Sequence, residues 1–337
     1  MQSVESGMRP AVLVLTNSQD GVHSDVVIAK LRARGERIVR FDADRIASGE
    51  LKISVNARGD YFDVRLRSSE LTLGFEEVQS IWYRRPQWFG MQISDPVQRQ
   101  YTEDELEILL SGLWLVLPDT IFWMNHPNHL AKARRKVYQL KLAQTLGFSI
   151  PKTLITNDPD EARTFIDACE GRAIFKTIHR ETLDYGETHL NIPTTLVTDE
   201  LKAKLDLVRR LPSCFQEALP KQAEVRVTIV RDQIFAVQTI PKHSEPCGID
   251  WRHPEILAEL HHTLVTLPQT IIEQCRHMMT TLELSFAALD FVIPPDGRWV
   301  FLEINPNGQW YWIEHLTGAP ISDALADSLS TATRERR

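Results

Sequence analysis

Asp290-Phe-Val-Ile-Pro-Pro-Asp-Gly-Arg-Trp-Val-Phe-Leu-Glu303-Ile-Asn305-Pro-Asn307-Gly308 is a β-hairpin in outline, two apolar runs joined by a turn, with an acid, an acid and an amide set along it. Two turns are compatible with the sequence. With Asp296-Gly297 as a two-residue turn, Asp290 stands opposite Glu303. With residues 294–297 as a four-residue turn, Asp290 stands opposite Phe301 and Glu303 lies one pair along. Side chains alternate along a strand, so in both registers Glu303 and Asn305 share a face, and Phe301 shares it with them. Like charges facing each other in a sheet are destabilising, so something positive is expected between the two acids. Asp, Glu and Asn supply hard oxygen donors, a set that suits Mg²⁺ held jointly with phosphate groups.

The rest of the chain sets bounds on that reading. Its 337 residues exceed what one core usually serves, so two or three domains are expected. The formal charge is −7 and no basic run stands out, which argues against nucleic acid as a partner. Cys169, Cys214, Cys247 and Cys275 are widely spaced with no C-x-x-C, the usage of reduced thiols in a cytoplasmic protein rather than of a disulfide framework or a zinc site. His126 and His129 are close together, but no H-E-x-x-H occurs. The N-terminus lacks a basic-then-apolar signal pattern, and the longest apolar stretch, residues 109–117, is too short to span a bilayer. No membrane association is therefore expected.

Residues 11–15 are a continuous apolar run ending in Thr-Asn-Ser-Gln-Asp-Gly, the pattern of a buried strand and turn. An amphipathic helix follows, stopped at Gly35, and then a strand at 38–41, so the chain opens β-α-β and a parallel sheet is expected. Short strands at 51–55, 62–66 and 80–83 and a helix at 97–117 complete an N-terminal α/β domain, residues 1–125. A helix over 130–146, a strand and turn at 150–157, a helix over 158–169 and a strand at 173–176 form a central unit, residues 126–212. Residues 177–191 are polar and read as a mobile loop, a candidate lid that begins near His179 and Arg180. A C-terminal unit, residues 213–330, contains strands at 214–217, 225–230 and 234–239, a helix over 268–282 and the hairpin. The expected class is mixed α/β and α+β in three units.

Several residues suit nucleotide chemistry in this order. Lys176 ends an apolar strand beside the polar loop, where an ammonium serves as a point charge toward phosphate. Lys136 lies in a helix just past a domain boundary. The Gln216-Glu217-Ala218-Leu219 linker offers backbone donors and acceptors to a base edge. Glu224 can accept from ribose hydroxyls, and Arg226 can neutralise a phosphate or an acyl phosphate. There is no Walker A pattern to compete. Taken in order, Lys136, Lys176, Gln216-Glu217, Glu224, Arg226, Asp290, Glu303 and Asn305 resemble the ATP-grasp superfamily. That resemblance implies ATP held between two α+β units, with Lys136 and Lys176 on its phosphates and adenine against Gln216, Glu217, Ala218 and Leu219. Glu224 would hold ribose, Asp290, Glu303 and Asn305 would hold Mg²⁺, and Arg226 and Lys176 would be catalytic.

A narrower resemblance runs through nearly the whole chain. Thr16-Asn17-Ser-Gln-Asp20, Ile81-Trp82-Tyr83-Arg84-Arg85-Pro86, Lys136-Val-Tyr-Gln139-Leu140, Ile150-Pro-Lys-Thr-Leu-Ile-Thr-Asn157 and Glu303-Ile-Asn-Pro-Asn-Gly-Gln309-Trp310-Tyr-Trp312 are similar to the microviridin-type synthetases, the graspetide macrocyclases. The implied reaction is ATP-dependent. A Glu or Asp side chain of a ribosomally made precursor peptide becomes an acyl phosphate, and a Thr, Ser or Lys side chain of the same peptide closes an ester or amide. The implied partners are that peptide and a second copy of the chain. Arg84, Arg85, Asn307, Gln309 and Trp310 are candidates for contact with the peptide, Arg84 and Arg85 as a surface grip on its leader. The aromatic Gln309-Trp310-Tyr311-Trp312 stretch reads either as packing or as a wall of the acceptor site. Two other readings compete: another carboxylate–amine ligase of the same superfamily, and a nucleotide- or peptide-binding module without catalysis.

Overall fold

Strand β1 (Ala11–Thr16) is buried at every position, which places it inside a sheet with both faces covered. In the computed structural model it lies between parallel neighbours, β2 (Arg37–Asp42) and a later strand, with α1 (Val22–Ala33) making the crossover. Gly35, at φ 76°, takes the left-handed turn that ends this helix. The structure describes residues 10–69, 71–86, 93–179, 182–185, 188–242 and 260–334.

The chain then leaves the parallel sheet for an antiparallel one, β3 (Lys52–Arg58), β4 (Tyr61–Arg67) and β5 (Thr72–Gly74). It returns as β6 (Val78–Tyr83), runs through α2 (Pro96–Leu115) and adds β7 (Phe122–Met124). The parallel sheet has the order β2-β1-β6-β7. One of its faces packs on Val64, Leu66 and Leu73 of the small sheet and on Leu110, Leu113 and Trp114 of α2.

Two helices follow where the sequence predicts one: α3 (Pro127–Ala133) and α4 (Lys136–Thr145). The break is at Arg135, which is extended (φ −78°, ψ 100°) and places Lys136 at the start of the second helix. The central unit contains β8 (Thr153–Thr156), α5 (Pro159–Ala168), β9 (Ala173–Lys176), a hairpin of β10 (Thr182–Tyr185) and β11 (Thr188–Asn191), β12 (Thr195–Leu196), α6 (Asp199–Lys202) and β13 (Ser213–Glu217). The segment read as a mobile loop contains, among its described residues, the paired strands β10 and β11. Arg180, one of the expected lid residues, lies outside the described residues. The central sheet has the order β12-β9-β13-β8 and is antiparallel. β13 hydrogen-bonds to β8 and β9, so the expected boundary between residues 212 and 213 falls instead after β13.

The third unit is built on β14 (Ala223–Val230), β15 (Gln233–Pro241), β16 (Leu260–Leu264), α7 (Gln269–Leu282), β17 (Phe286–Ile293) and β18 (Val300–Asn305), with the strand order β16-β15-β14-β17-β18. Val225, Val227 and Ile229 on one face of β14 share a core with Cys275, Met278 and Leu282 of α7, and also with Leu142 and Ala143 of α4. Helix α4 therefore belongs structurally to the C-terminal sheet, because its apolar face is covered there. The chain ends in α8 (Tyr311–Thr317) and α9 (Ile321–Arg334). The second of these packs Ala324, Leu325 and Leu329 in one core with Val12, Val14, Val27 and Leu31 and with Val230, Val237 and Phe286, so residues 321–334 bridge the N-terminal sheet and their own. Among the described residues no helix is long and apolar enough to cross a membrane.

Asn125 ties the first unit to the third. It is 1% exposed and uses both ends of its amide. Its Nδ2 donates to the carbonyls of Phe286 (2.8 Å) and Pro306 (3.0 Å), and its Oδ1 accepts from the N–H groups of Ser285 (2.7 Å) and Phe286 (3.0 Å). Replacing it by Ala strands buried backbone donors and acceptors. Asn125→Ala is expected to destabilise the protein by about 3 kcal/mol. Denaturant unfolding checks this, and a midpoint equal to the parent's contradicts it.

Candidate active site

The hairpin resolves the two alternative turns in an unforeseen way. The turn is the four-residue one, closed by Gly297 N–H donating to Pro294 O at 2.9 Å. Near it Val292 pairs with Val300 and Phe291 with Phe301. A bulge at Leu302 then shifts the register, and Asp290 faces Glu303 after all, with Ala288 facing Asn305. The bulge corrects the expected facing of Phe301. Phe301 and Ile304 point into the core shared with α7, while Leu302 and Glu303 both line the cleft. One extra residue thus delivers an acid to the site and keeps the aromatic ring behind it.

The expected positive species between the acids is present as side chains. Arg226, the cross-strand partner of Asp290 on β14, donates from Nη1 to both Asp290 carboxylate oxygens at 2.9 Å. Lys136 Nζ stands 3.7 Å from Glu303 Oε2. Glu224, two residues before Arg226 on the same face, pairs with Lys221. Burial pushes the Asp290 carboxyl up to about 6; Arg226 opposes the rise and Glu303 and Glu224 add to it. Arg226 keeps further donors in hand: Nη2 lies 3.5 Å from Gln309 O, and Nε is buried without a partner. Gly308 is required beside it, since a Cβ there would sit 2.6 Å from Ala288 Cβ and 3.0 Å from Arg226 Nη2.

Across the cleft, the central sheet presents alternate residues of its strands. Thr153 and Ile155 of β8, Lys176 of β9, and Cys214 and Gln216 of β13 line a pocket closed by Lys136, Gln139 and Leu140 of α4 and by Leu302 and Glu303. Lys176 Nζ donates to Gln216 Oε1 at 2.8 Å, and Gln216 Nε2 donates to Thr153 Oγ1 at 3.0 Å. Lys136 Nζ donates to Thr177 O at 3.1 Å. Burial holds the Lys176 ammonium below its ordinary pKa, with Glu303 opposing and Lys136 adding to the fall. Glu217 is on the other face: its Oε1 accepts from Lys152 N–H at 2.9 Å. Ala218 N–H donates to Arg172 O at 2.8 Å. Leu219 is half-buried just beyond.

The structure therefore brings Lys136, Lys176, Gln216, Glu303, Asp290 and Arg226 around one cleft and leaves other candidates apart from it. Arg84 is 2% exposed, and with Arg85 it donates to Asn307 O, so the expected surface grip is a buried brace. Trp310 is 1% exposed, its ring edge-on to His23 at 5.4 Å, and it belongs to the core under α9. Packing is the reading that holds for it, and a wall of the acceptor site is not. Asn307 is buried while Gln309 is exposed. Gln139 was not singled out for a role in the cleft, yet it is 5% exposed and pins α4 to β18, with Nε2 on Ile304 O (2.9 Å) and Oε1 on Ile304 N–H (3.2 Å). Its signal was a glutamine on the face of α4 that also carries Leu142 and Ala143.

Asp290 and Glu303 face each other, and Asn305 continues the same strand. Among the described residues no group of three or more His, Cys, Asp or Glu side chains has metal-holding geometry. Two carboxylates and an amide fit a hard divalent cation whose remaining positions are filled by phosphate or water oxygens, and do not fit a closed structural site.

Residues 11–131 match the model of the MvdD pre-ATP grasp domain. Nearly the whole chain is similar to solved structures, among them the following. Macrocyclase MdnC of Microcystis aeruginosa MRC, bound with precursor peptide MdnA, is 28% identical; the match covers 95% of this chain and 99% of that one at a TM-score of 0.84. A RiPP-associated ATP-grasp ligase of Chryseobacterium gregarium, in complex with ADP and a leader and core peptide, is 25% identical over 96% and 97% of the two chains, TM-score 0.86. Macrocyclase MdnB of Microcystis aeruginosa MRC is 30% identical over 95% and 99%, TM-score 0.76. No curated protein sequence matches the chain.

Proposed function

This chain belongs to the graspetide-type ATP-grasp ligases, and we propose that it closes macrocycles in a ribosomally made precursor peptide by activating Glu or Asp side chains as acyl phosphates. It is an ATP-dependent ligase. The observation that carries the finer reading is the cleft itself, where Lys176 of the central sheet faces Lys136 of α4 and Glu303, and Arg226 pairs with the opposed acid Asp290. In the first step a carboxylate oxygen of the peptide attacks the γ-phosphorus of ATP, and the bond to the β-phosphate oxygen breaks to release ADP. In the second, a Thr or Ser hydroxyl or a Lys amine attacks the acyl carbon. Phosphate leaves with the carboxylate's own oxygen, and the nucleophile's proton is lost to solvent.

Two anions must meet in the first step, so cations and a dry site dominate its barrier. Lys136 and Lys176 are assigned to the ATP phosphates, and Gln216, Glu217, Ala218 and Leu219 to the adenine edge, Glu217 through its backbone. Glu224 is assigned to ribose. Mg²⁺, when bound, supplies charge neutralisation between phosphate oxygens, and Asp290, Glu303 and Asn305 are the residues that would hold it. Arg226 keeps Nη1 on Asp290 and offers Nη2 toward the peptide carboxylate, an arrangement supported by its spare donors beside Gly308. The β10–β11 hairpin is assigned to covering the acyl phosphate against water. A homodimer is part of the same reading. The exposed apolar stripe of Val97, Tyr101, Ile108 and Leu115 along α2 is a surface such an assembly would bury.

Purified protein, ATP, Mg²⁺ and a precursor peptide carrying Glu/Asp and Thr/Ser or Lys should give products lighter by one water mass per ring. ADP formation without any mass loss would contradict macrocyclisation. Lys176→Met is expected to weaken binding of a non-hydrolysable ATP analogue by about 10- to 100-fold, the worth of one charge-assisted hydrogen bond to phosphate. Thermal stability should hold, since the ammonium is already desolvated in the folded chain. Calorimetric titration reads the affinity, and an unchanged value removes Lys176 from the phosphate site.

A further inference from the structure

Asn305 belongs to the third unit, but its side chain is set by the first. Its Oδ1 accepts from Asn307 N–H at 3.0 Å. The Asn307 carbonyl in turn accepts from Arg84 Nη1 at 3.1 Å and from Arg85 Nη2 at 3.3 Å, two guanidiniums on one oxygen. Both arginines follow β6, and their backbones are fixed there: Arg84 N–H donates to Leu15 O at 2.9 Å, and Arg85 O accepts from Asn17 Nδ2 at 2.7 Å. The preceding carbonyl, Pro306 O, is held by Asn125. On the opposite side Gly308 lies against Ala288 with no room for a Cβ. The turn from Asn305 to Gly308 is clamped on both flanks and has no slack.

Packing alone does not account for this choice of residues. Asn125 shows that one neutral amide suffices to hold a buried carbonyl of this turn. A buried and a half-buried guanidinium are a costly alternative, and Asp20 stands 3.5 Å from Arg84 Nε. Burial and the neighbouring Arg85 depress Arg84 to about 10 against the pull of Asp20, which measures how unfavourable the site is for charge. What the pair gains over an amide is stiffness: a planar, many-donor fork from each of two consecutive residues defines where the carbonyl sits. The N–H that meets Asn305 Oδ1 lies in the peptide whose carbonyl, Pro306 O, Asn125 holds; the arginines fix the next peptide, so Asn307 is anchored on both sides of its Cα and its N–H keeps its direction toward the Asn305 amide.

We propose that Arg84 and Arg85 are positioning residues for the divalent cation, holding Asn305 Oδ1 in ligand orientation from the N-terminal domain through the Asn307 carbonyl. This rests on the assignment of Asp290, Glu303 and Asn305 as metal donors. Metal affinity is then a property of two domains, and the pre-ATP-grasp domain contributes to chemistry it does not touch. Outer contacts of this kind are worth about 10- to 100-fold in metal affinity.

The test uses full-length protein with ADP and Mn²⁺ as the probe, free Mn²⁺ being read by electron paramagnetic resonance. Arg85 is the residue to change, because it is only partly buried and Arg84 still holds the turn. Arg85→Gln should weaken Mn²⁺ binding in the ADP complex by about 10-fold, while ADP affinity measured without metal stays at the parent value. Arg85→Lys, which keeps the charge but not the planar fork, should recover little of the loss. Parent-level Mn²⁺ affinity in a folded Arg85→Gln protein overturns the proposal, and so does an equal loss of metal-free ADP binding, the mark of general distortion. Glu303→Gln serves as the separate control: if it binds Mn²⁺ as the parent does, the metal assignment itself fails, and the positioning role with it.

Discussion

Arg226→Ala should lower peptide-dependent ADP formation by about 10³-fold, the scale set by removing a preorganised charged donor from a water-poor site. Arg226 acts at two places. Its Nη1 is the charge that faces Asp290 across β14 and β17, and its Nη2 and Nε are donors not committed to a carboxylate. Without it, Asp290 faces Glu303 with Glu224 nearby and loses its own ion-pair partner. Asp290 already stands at about 6 with Arg226 present, and removing the guanidinium raises it further. The protonated form of the acid is then favoured further, and it is a poorer metal donor. The hydrophobic face of β14, which packs on α7, is untouched, so circular dichroism should report a folded chain. Arg226→Lys should recover little, because an ammonium cannot hold both Asp290 oxygens and still present a second edge. Turnover within a few-fold of the parent in the Ala variant would remove Arg226 from the mechanism.

Glu303→Gln should abolish Mg²⁺-dependent ADP formation, again by about 10³-fold or more, and yet leave the protein at least as stable near pH 7. The stability sign follows from Asp290. Its pKa in the folded protein lies above the ordinary carboxylate value, so as pH falls through about 6 the folded chain takes up a proton that the unfolded chain does not. The contribution of this group to stability is therefore fully present in acid, below the ordinary value, and is lost as pH rises through about 6. Glu303 is one cause of the rise, and an uncharged amide in its place moves Asp290 back toward the ordinary range. Part of the stability lost above that pH returns, offset by the weak pairing of Glu303 with Lys136 at 3.7 Å. Thermal melts across pH 4–8 alongside steady-state ADP release separate the two effects. Parent-level turnover in Glu303→Gln would show that the opposed acids do not serve the cation.

Much of this site could be read before the fold was known, and the failures have a common origin. The acids of the hairpin, the lysine at the end of β9 and the buried first strand are local patterns, governed by alternation and by neighbours a few residues away. The bulge at Leu302 is not local. It is the outcome of satisfying the Pro294–Gly297 turn and the burial of both Phe301 and Ile304 at once, and a strict two-residue period cannot show it. Strand β13 pairs with β8 and β9, which lie well before it in the chain, so grouping it with the strand runs that follow it in sequence set it in the wrong sheet. Arg84 and Arg85 look like solvated charges, since an adjacent arginine pair carries no sign of burial in sequence. Their partner is the backbone carbonyl of Asn307, a group every residue has. Trp310 shows the reverse case, an aromatic that could have served a ligand and instead fills the core beneath α9.

The central claim is that the peptide's side-chain carboxylate is phosphorylated by ATP before the ring closes. Label transfer tests it most directly. A precursor peptide carrying ¹⁸O in its Glu or Asp side-chain carboxylates, cyclised with unlabelled ATP in unlabelled water, should release ADP and inorganic phosphate that contains one ¹⁸O per ring formed. Phosphate free of label, or release of AMP in place of ADP, would contradict the claim.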